Sequence, residues 1–294
     1  MKYEKTVPDR IFDVFIFLSV TFVVIFTLYP IVYVFSMSIS NPNAAIRGDI
    51  VLWPVGFSLK AYDVVFANKD MWVYYFNTVW YTAVGTVFNV IVTVIAGYPL
   101  SKERFFARKF FMVMIIITMF FRGGLIPSYL VVTGLGLYNS RWAIVLPALT
   151  AAWYIIVSRT FFQTLPEDLF ESARIDGASE FRILLQFAIP LSKPILATLA
   201  LFYGVGHWNS YFPALLYLGN SKLHPVQIYL RRVVIQSSPE LMQKFDMSTI
   251  GSGILAMLQV KYAVIVVTIL PIILLYPFLQ KYFVKGMLIG SLKD

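Results

Sequence analysis

Apolar residues fall in long runs separated by short polar stretches, and six runs are long enough to predict membrane-crossing helices. The first runs from about Ile11 to Ser38, with Pro30 near its outer end. It is too long for a signal-peptide core and has no small-residue cleavage pattern, so it predicts an uncleaved helix. Residues Asn41 to Tyr75 contain Asn41-Pro42-Asn43, Trp53-Pro54 and Gly56, which predict loop with short surface pieces. The second helix is expected at Phe76 to Leu100. The third starts near Phe110 and meets Arg122-Gly123-Gly124 and Pro127, where a break or kink is expected. The fourth covers Trp142 to Phe162, the fifth runs from Pro194 to about Leu218, and the sixth covers Tyr262 to Tyr282. A long polar loop is expected from Gly219 to Val260.

Composition agrees with this pattern. Of 294 residues, 59% are apolar and 13% charged, against about 45–50% and 25% in soluble domains. An ordinary soluble enzyme and a disordered chain are both excluded. The formal charge of +9 does not point to nucleic acid, because the basic residues lie between apolar runs. Lys102, Arg104, Arg108 and Lys109 mark a turn on the cytoplasmic side, and six crossings put both termini there. The chain has no cysteine, so disulfides and thiolate chemistry are excluded. His207 and His224 alone cannot build a multi-histidine metal site. No phosphate-binding glycine loop, zinc-protease pair or serine-hydrolase elbow is present.

One polar stretch is too long for a simple connection. Residues 164–194 read TLPEDLFESARIDGASEFRILLQFAIPLSKP and predict helix, turn, helix. Thr164 and Glu167 have capping-box spacing, with Pro166 tolerated in the first turn. Glu167, Asp168 and Glu171 place negative charge where a helix start favours it. Asp176-Gly177 breaks the helix, and Asp176 is placed to cap a second one. Ala178, Phe181, Leu184, Leu185 and Ala188 then form one apolar stripe, ended by Pro190 and Pro194. By pattern alone this pair is equally a membrane-surface element and a docking site for a soluble partner.

Glu171-Ser172-Ala173, Asp176-Gly177-Ala178, Ile189-Pro190-Leu191 and Pro194 resemble the EAA loop of ABC importer permeases, with Ser172 and Ile189 as mild departures. Leu28-Tyr29-Pro30, Gly123-Gly124-Leu125-Ile126-Pro127, Arg159-Thr160-Phe161-Phe162, His207-Trp208-Asn209 and Phe283-Val284-Lys285-Gly286 resemble the carbohydrate-uptake, maltose-type branch, specifically its LplC/YtcP-like group. The resemblance implies an all-α polytopic membrane protein with six transmembrane helices and a cytoplasmic coupling-helix loop at 164–194. Residues 1–69 would hold an N-terminal segment, the first helix and the first outer loop; 70–283 the transmembrane domain; and 284–294 a cytoplasmic tail.

The same resemblance implies partners: a second homologous permease, two ABC ATPase subunits and an extracellular solute-binding protein, in the bacterial cytoplasmic membrane and in contact with its lipid. ATP and Mg2+ would be bound by the ATPases, this chain holding no cofactor and catalysing no reaction. Glu171, Ala173, Asp176, Gly177, Ala178 and Pro190 would form the ATPase-coupling surface, Gly177 permitting close backbone approach. The 219–260 loop would reach the binding protein and the tail would enter the ATPase interface, although this chain ends Lys293-Asp294 where the family commonly ends in glycine.

On the fifth span, Tyr203, His207, Ser210 and Tyr211 lie one and two turns apart and form a polar stripe flanked by Trp208 and Asn209. Aromatic faces and hydrogen-bonding groups suit a sugar pathway; the same groups serve equally as interfacial anchors and interhelical hydrogen bonds. Arg122 is a further pathway candidate, as an ionisable group near a span, or snorkels to the outer interface, as Arg159 does at the inner one. The function expected is permease subunit of an oligosaccharide importer, with another solute or a self-standing carrier as alternatives. An intramembrane enzyme would need catalytic pairs at depth, and the sequence offers none.

Overall fold

The computed structural model describes residues 6–121, 123–236, 259–275 and 277. Among them are helices and turns and no strand. The elements are α1 (Val7–Ser38), α2 (Pro42–Arg47), α3 (Lys60–Ala67), α4 (Lys69–Ser101), α5 (Arg108–Phe120), α6 (Leu125–Gly134), α7 (Trp142–Ala148), α8 (Ala152–Phe162), α9 (Glu167–Ile175), α10 (Glu180–Leu191), α11 (Lys193–Trp208), α12 (Phe212–Tyr217), α13 (Val226–Arg231) and α14 (Gln259–Leu275). They form two compact units, one drawn from Met1–Lys69 and Leu230–Ile269, the other from Asp70–Tyr229 and Leu270–Asp294.

In the first unit, α1 starts four residues earlier than the apolar run suggests. The Asp9 carboxylate accepts from the Thr6 N–H at 2.9 Å and from its hydroxyl at 2.6 Å, which fixes the first turn. None of the most apolar 18-residue window of α1 is buried. Its last turn is different. Ser36, Ser38 and Ser40 are buried and tie the following chain back to it: Ser36 Oγ donates to Leu52 O at 2.6 Å, and Val55 N donates to Ser40 Oγ at 3.1 Å. The expected loop at 41–75 therefore contains two short helices. Asn41 caps α2 through its side chain, 2.9 Å from Asn43 N, and Gly48 ends it at φ +74°. Met37, Ala44, Ala45 and Ile50 make a small core.

The second unit is organised around α4, which begins at Lys69 rather than Phe76 and runs for 33 residues. Among the described residues, α1 and α4 are the single helices long and apolar enough to cross a membrane; three bent pairs also qualify, and α14 is a shorter apolar helix. The third apolar run is interrupted between Phe120 and Leu125, as the glycines suggest, with Gly124 at φ +82°; Arg122 lies outside the described residues. The fourth run, expected to be continuous, bends by 53° between α7 and α8. Pro147 brings no N–H to the ladder there. The fifth run meets α10 at an 82° bend and stops at Trp208. Asn209 closes α11, and the chain restarts as α12 with Pro213 in its first turn.

The expected polar loop from Gly219 also departs from pattern. Val226, Ile228 and Tyr229 of α13 are buried, and Tyr229 packs on Tyr74 with ring centroids 5.6 Å apart. Backbone groups here are claimed by α4: Asn77 Nδ2 donates to Lys222 O at 2.7 Å and to His224 O at 3.1 Å. Residues 237–258, including Gly251-Ser252-Gly253, and the tail 284–294 lie outside the described residues. The sixth helix is described from Gln259, three residues before Tyr262, to Leu275.

Candidate functional site

Residues 164–194 fold as a helix, a tight corner and a second helix. Thr164 does not cap α9; its hydroxyl donates to Phe161 O at 2.7 Å in the turn before. Pro166 takes the capping position without a side-chain bond. Glu167 is taken by other partners: its carboxylate accepts from Lys102 Nζ at 2.6 Å and from Arg174 Nη2 at 2.9 Å.

The corner explains the spacing of the motif. Gly177 has φ +80°, a conformation a side chain disfavours. The Gly177 N–H donates to Arg174 O at 2.9 Å and the Ala178 N–H to Ala173 O at 2.9 Å. These two bonds are the Schellman pattern, with Gly177 just past the helix end. Nothing lies within 4 Å of where a Gly177 Cβ would sit, so the backbone angle, not crowding within this chain, selects glycine. Asp176 ends α9 rather than starting α10. Ser179 caps α10, its Oγ 3.4 Å from Arg182 N, because the glycine has already turned the chain.

Phe170 and Ala173 point inward against Val94 and Tyr98 of α4, Phe162 of α8, and Ile183, Leu184 and Ala188 of α10. Glu171, Asp176 and Gly177 are exposed on the other face, Ala178 is half-buried, Pro190 is exposed, and Ile175 is 87% exposed. The expected stripe on α10 is split. Leu184 and Ala188 are buried, but Phe181 is 67% exposed and Leu185 is exposed, while Ile183 is buried instead. A π turn at Leu184–Ala188 shifts the register. It ends two residues before Pro190, which brings no N–H to the carbonyl four residues back.

The basic turn at 102–109 is part of this assembly. Lys102 is only 7% exposed. Its Nζ sits 3.8 Å from the Phe170 ring centroid and bonds Glu167. Arg174 Nε reaches Glu180 Oε1 at 3.1 Å, and Arg104 pairs with the same carboxylate. Burial lowers the Lys102 ammonium below the usual lysine value, although Glu167 pulls it back. Burial alone would raise the Glu167 carboxyl, but hydrogen bonds from Lys102 and Arg174 outweigh it and hold the carboxyl below the usual range. A polar cavity of about 450 Å3 lies here, with Lys102, Arg104, Gln163 and Glu171 on its walls.

The residues expected on the fifth span do not share one environment. Tyr203 is buried; its hydroxyl lies 2.7 Å from Thr93 Oγ1 and accepts from the Ala151 N–H at 3.4 Å. His207 is buried with Nε2 2.6 Å from Asn89 Oδ1. Trp208 meets Tyr75 edge to face at 5.6 Å and lines an apolar cavity of about 590 Å3 with Val79, Thr82 and Gly204. Asn209 and Tyr211 are exposed, beyond the end of α11.

A row along α4 was not apparent from the apolar count. Asn77, Tyr81, Gly85, Asn89, Thr93, Gly97 and Ser101 recur every fourth residue, and all are buried. Tyr81 donates to Leu223 O at 2.8 Å. His207 packs where a Gly85 Cβ would stand, and a Cβ at Gly97 would meet Ser158 Oγ at 2.8 Å. The bend between α7 and α8 frees backbone groups, and this row satisfies them. Asn89 Nδ2 donates to Ala148 O, and Tyr203, held by Thr93, receives the Ala151 N–H. The four-residue recurrence of small and polar residues was the available signal.

The chain is similar to known proteins over nearly its full length. It is 38% identical over 286 residues to the polygalacturonan/rhamnogalacturonan transport system permease protein YtcP of Bacillus subtilis, covering 97% of this chain and 99% of that one. It is 40% identical over 290 residues to protein LplC of the same organism, covering 99% and 97%. Among solved structures, a chain from a bacterial ABC transporter involved in the import of the acidic polysaccharide alginate matches with a TM-score of 0.89 and 36% identity, over 95% of this chain and 99% of that chain. Residues 89–289 match the model of one family. The chain belongs to the binding-protein-dependent transport system inner membrane components.

Proposed function

We propose that this chain is a multi-pass permease subunit of a bacterial ABC importer for a carbohydrate, an oligosaccharide derived from a complex polysaccharide. Near-full-length similarity to a polygalacturonan/rhamnogalacturonan permease carries this proposal, and the likeness to a chain of an alginate importer supports it. In it, α1, α4, α5–α6, α7–α8, α11 and α14 are six crossings, with both termini and the 164–194 loop in the cytoplasm. The ion pairs between the basic turn and this loop support their lying on the same side. The transmembrane domain spans 70–283, preceded by the 1–69 segment and followed by the 284–294 tail.

A second homologous permease, two ATPase subunits that bind ATP and Mg2+, and an extracellular solute-binding protein complete the importer. The exposed face of Glu171, Asp176 and Gly177, backed by Ala173, Ala178 and Pro190, docks on an ATPase, and closure of the ATPases moves the loop as a rigid body. Trp208, Asn209 and Tyr211 are the fifth-span residues placed to meet solute, while Tyr203 and His207 serve as interhelical hydrogen bonds. In the transporter purified with co-expressed partners, Gly177→Asp is expected to abolish ATPase association; retained association and stimulation overturn the docking assignment. Oligosaccharides loaded on the binding protein should stimulate ATP hydrolysis selectively. A flat response to all of them would falsify the carbohydrate assignment, and uptake by the chain alone in liposomes would favour a self-standing carrier.

A further inference from the structure

We propose that Lys102, Arg104 and Arg174 act as positioning residues that join the cytoplasmic end of α4 to the coupling loop through Glu167 and Glu180, so that the loop and the long helix move as one body. This inference rests on the reading of 164–194 as the coupling element. The ions form a continuous chain: Lys102 to Glu167 at 2.6 Å, Glu167 to Arg174 at 2.9 Å, Arg174 to Glu180 at 3.1 Å, and Glu180 to Arg104. Both ends of this chain are anchored in the turn that follows α4. Its middle spans α9 and the start of α10 on either side of the Gly177 corner. Tyr98, in the last turn of α4, adds its hydroxyl 3.5 Å from Glu180 Oε2.

Placement separates this network from ordinary surface ion pairs. The Lys102 side chain is 8% exposed and that of Arg174 is 19%, so two of the three cations are held where solvent screens them little. Lys102 also lies over the Phe170 ring, and Phe170 is the fully buried centre of the α9 contact with α4 and α8. Apolar packing therefore seats α9 against α4, and the ions fix its rotation. A helix held by packing alone can roll on its apolar face. One held at both ends by directional pairs transmits a displacement without that slack. The α4 row of Asn77 to Ser101 continues the path through the second unit, because the same helix bonds the α7–α8 bend and α11.

The test uses the assembled transporter in proteoliposomes and reads solute moved per ATP hydrolysed. A general loss of stability lowers both rates together, whereas loosening this joint lowers the ratio. Lys102→Met keeps the stem over Phe170 and removes the charge; the ratio is expected to fall roughly tenfold, and Lys102→Arg is expected to restore most of it. The chain has no cysteine, so Arg104→Cys with Glu180→Cys, introduced into a transporter whose other subunits are cysteine-free, gives a unique pair on a half-exposed surface. That double variant should also lose coupling, and bridging the thiols with a linker of matching length should return it. An unchanged ratio in the variants, or transport abolished by the bridge, overturns the inference. A docking surface elsewhere reveals itself separately, by Gly177→Asp leaving ATPase association intact.

Discussion

The charged network of the 164–194 loop and the α4 row solve the same problem, holding helices in register, with opposite materials. The loop is held by full charges: Lys102 and Arg104 of the turn after α4, with Arg174, against Glu167 and Glu180. The row uses glycine, asparagine, threonine and tyrosine, with neutral hydrogen bonds from Asn89, Thr93 and Tyr203. Charges at the water boundary keep part of their hydration and gain orientation. At membrane depth an unpaired ion is expensive, and small residues that let backbones approach give more for less. The environment, rather than the fold, decides which device is used.

The largest expected effect breaks the row. Gly85→Leu drives a side chain into the His207 ring and should destabilise the protein by about 3 kcal/mol, read as loss of a folded peak in detergent size-exclusion chromatography. Asn89→Leu comes next. It removes the donor to Ala148 O and the partner of His207, and should cost about 1–3 kcal/mol, seen as a lower Tm. If Asn89→Leu matched wild type in Tm, the row would be packing alone.

The smallest effects sharpen the charged side. Glu167→Gln keeps an oxygen facing Lys102, leaves Arg174 with Glu180 and alters a side chain that is itself 48% exposed, so it should cost about 0.2–1 kcal/mol, with the deficit shrinking as salt rises. Asn89→Leu should show no such salt dependence. Protons act on the same pair. The Glu167 carboxyl is held below the usual range, so its contribution is complete above the ordinary glutamate value and is lost as pH falls through the depressed one. Coupling measured across that acidic window should decline in wild type and stay flat in Glu167→Gln.

The motif around Gly177 was legible because its chemistry is local: Asp176-Gly177-Ala178 specifies a corner that needs no other part of the chain. The caps were not. Thr164 and Asp176 had the right spacing, but Lys102 and Arg174 took Glu167, and Ser179 stood nearer the new helix. Lys102 illustrates the wider difficulty. A lysine after an apolar run reads as a topology marker, and only the tertiary contact with Phe170 and Glu167 reveals it as buried. The stripe on α10 failed because pattern arguments assume 3.6 residues per turn, and the π turn before Pro190 does not keep that period. The end of α11 at Trp208 carried no proline or glycine at the break itself to announce it.

The bend between α7 and α8 has a consequence for how the chain is made. Asn89 precedes Ala148 by 59 positions, so the group that receives the freed carbonyl is already synthesised when the bend emerges from the ribosome. Tyr203 follows Ala151 by 52 positions. Until that tyrosine is made, the Ala151 N–H lacks the side-chain acceptor it has in the folded chain. The bend thus takes the partner of its carbonyl from chain made before it and the partner of its N–H from chain made after it.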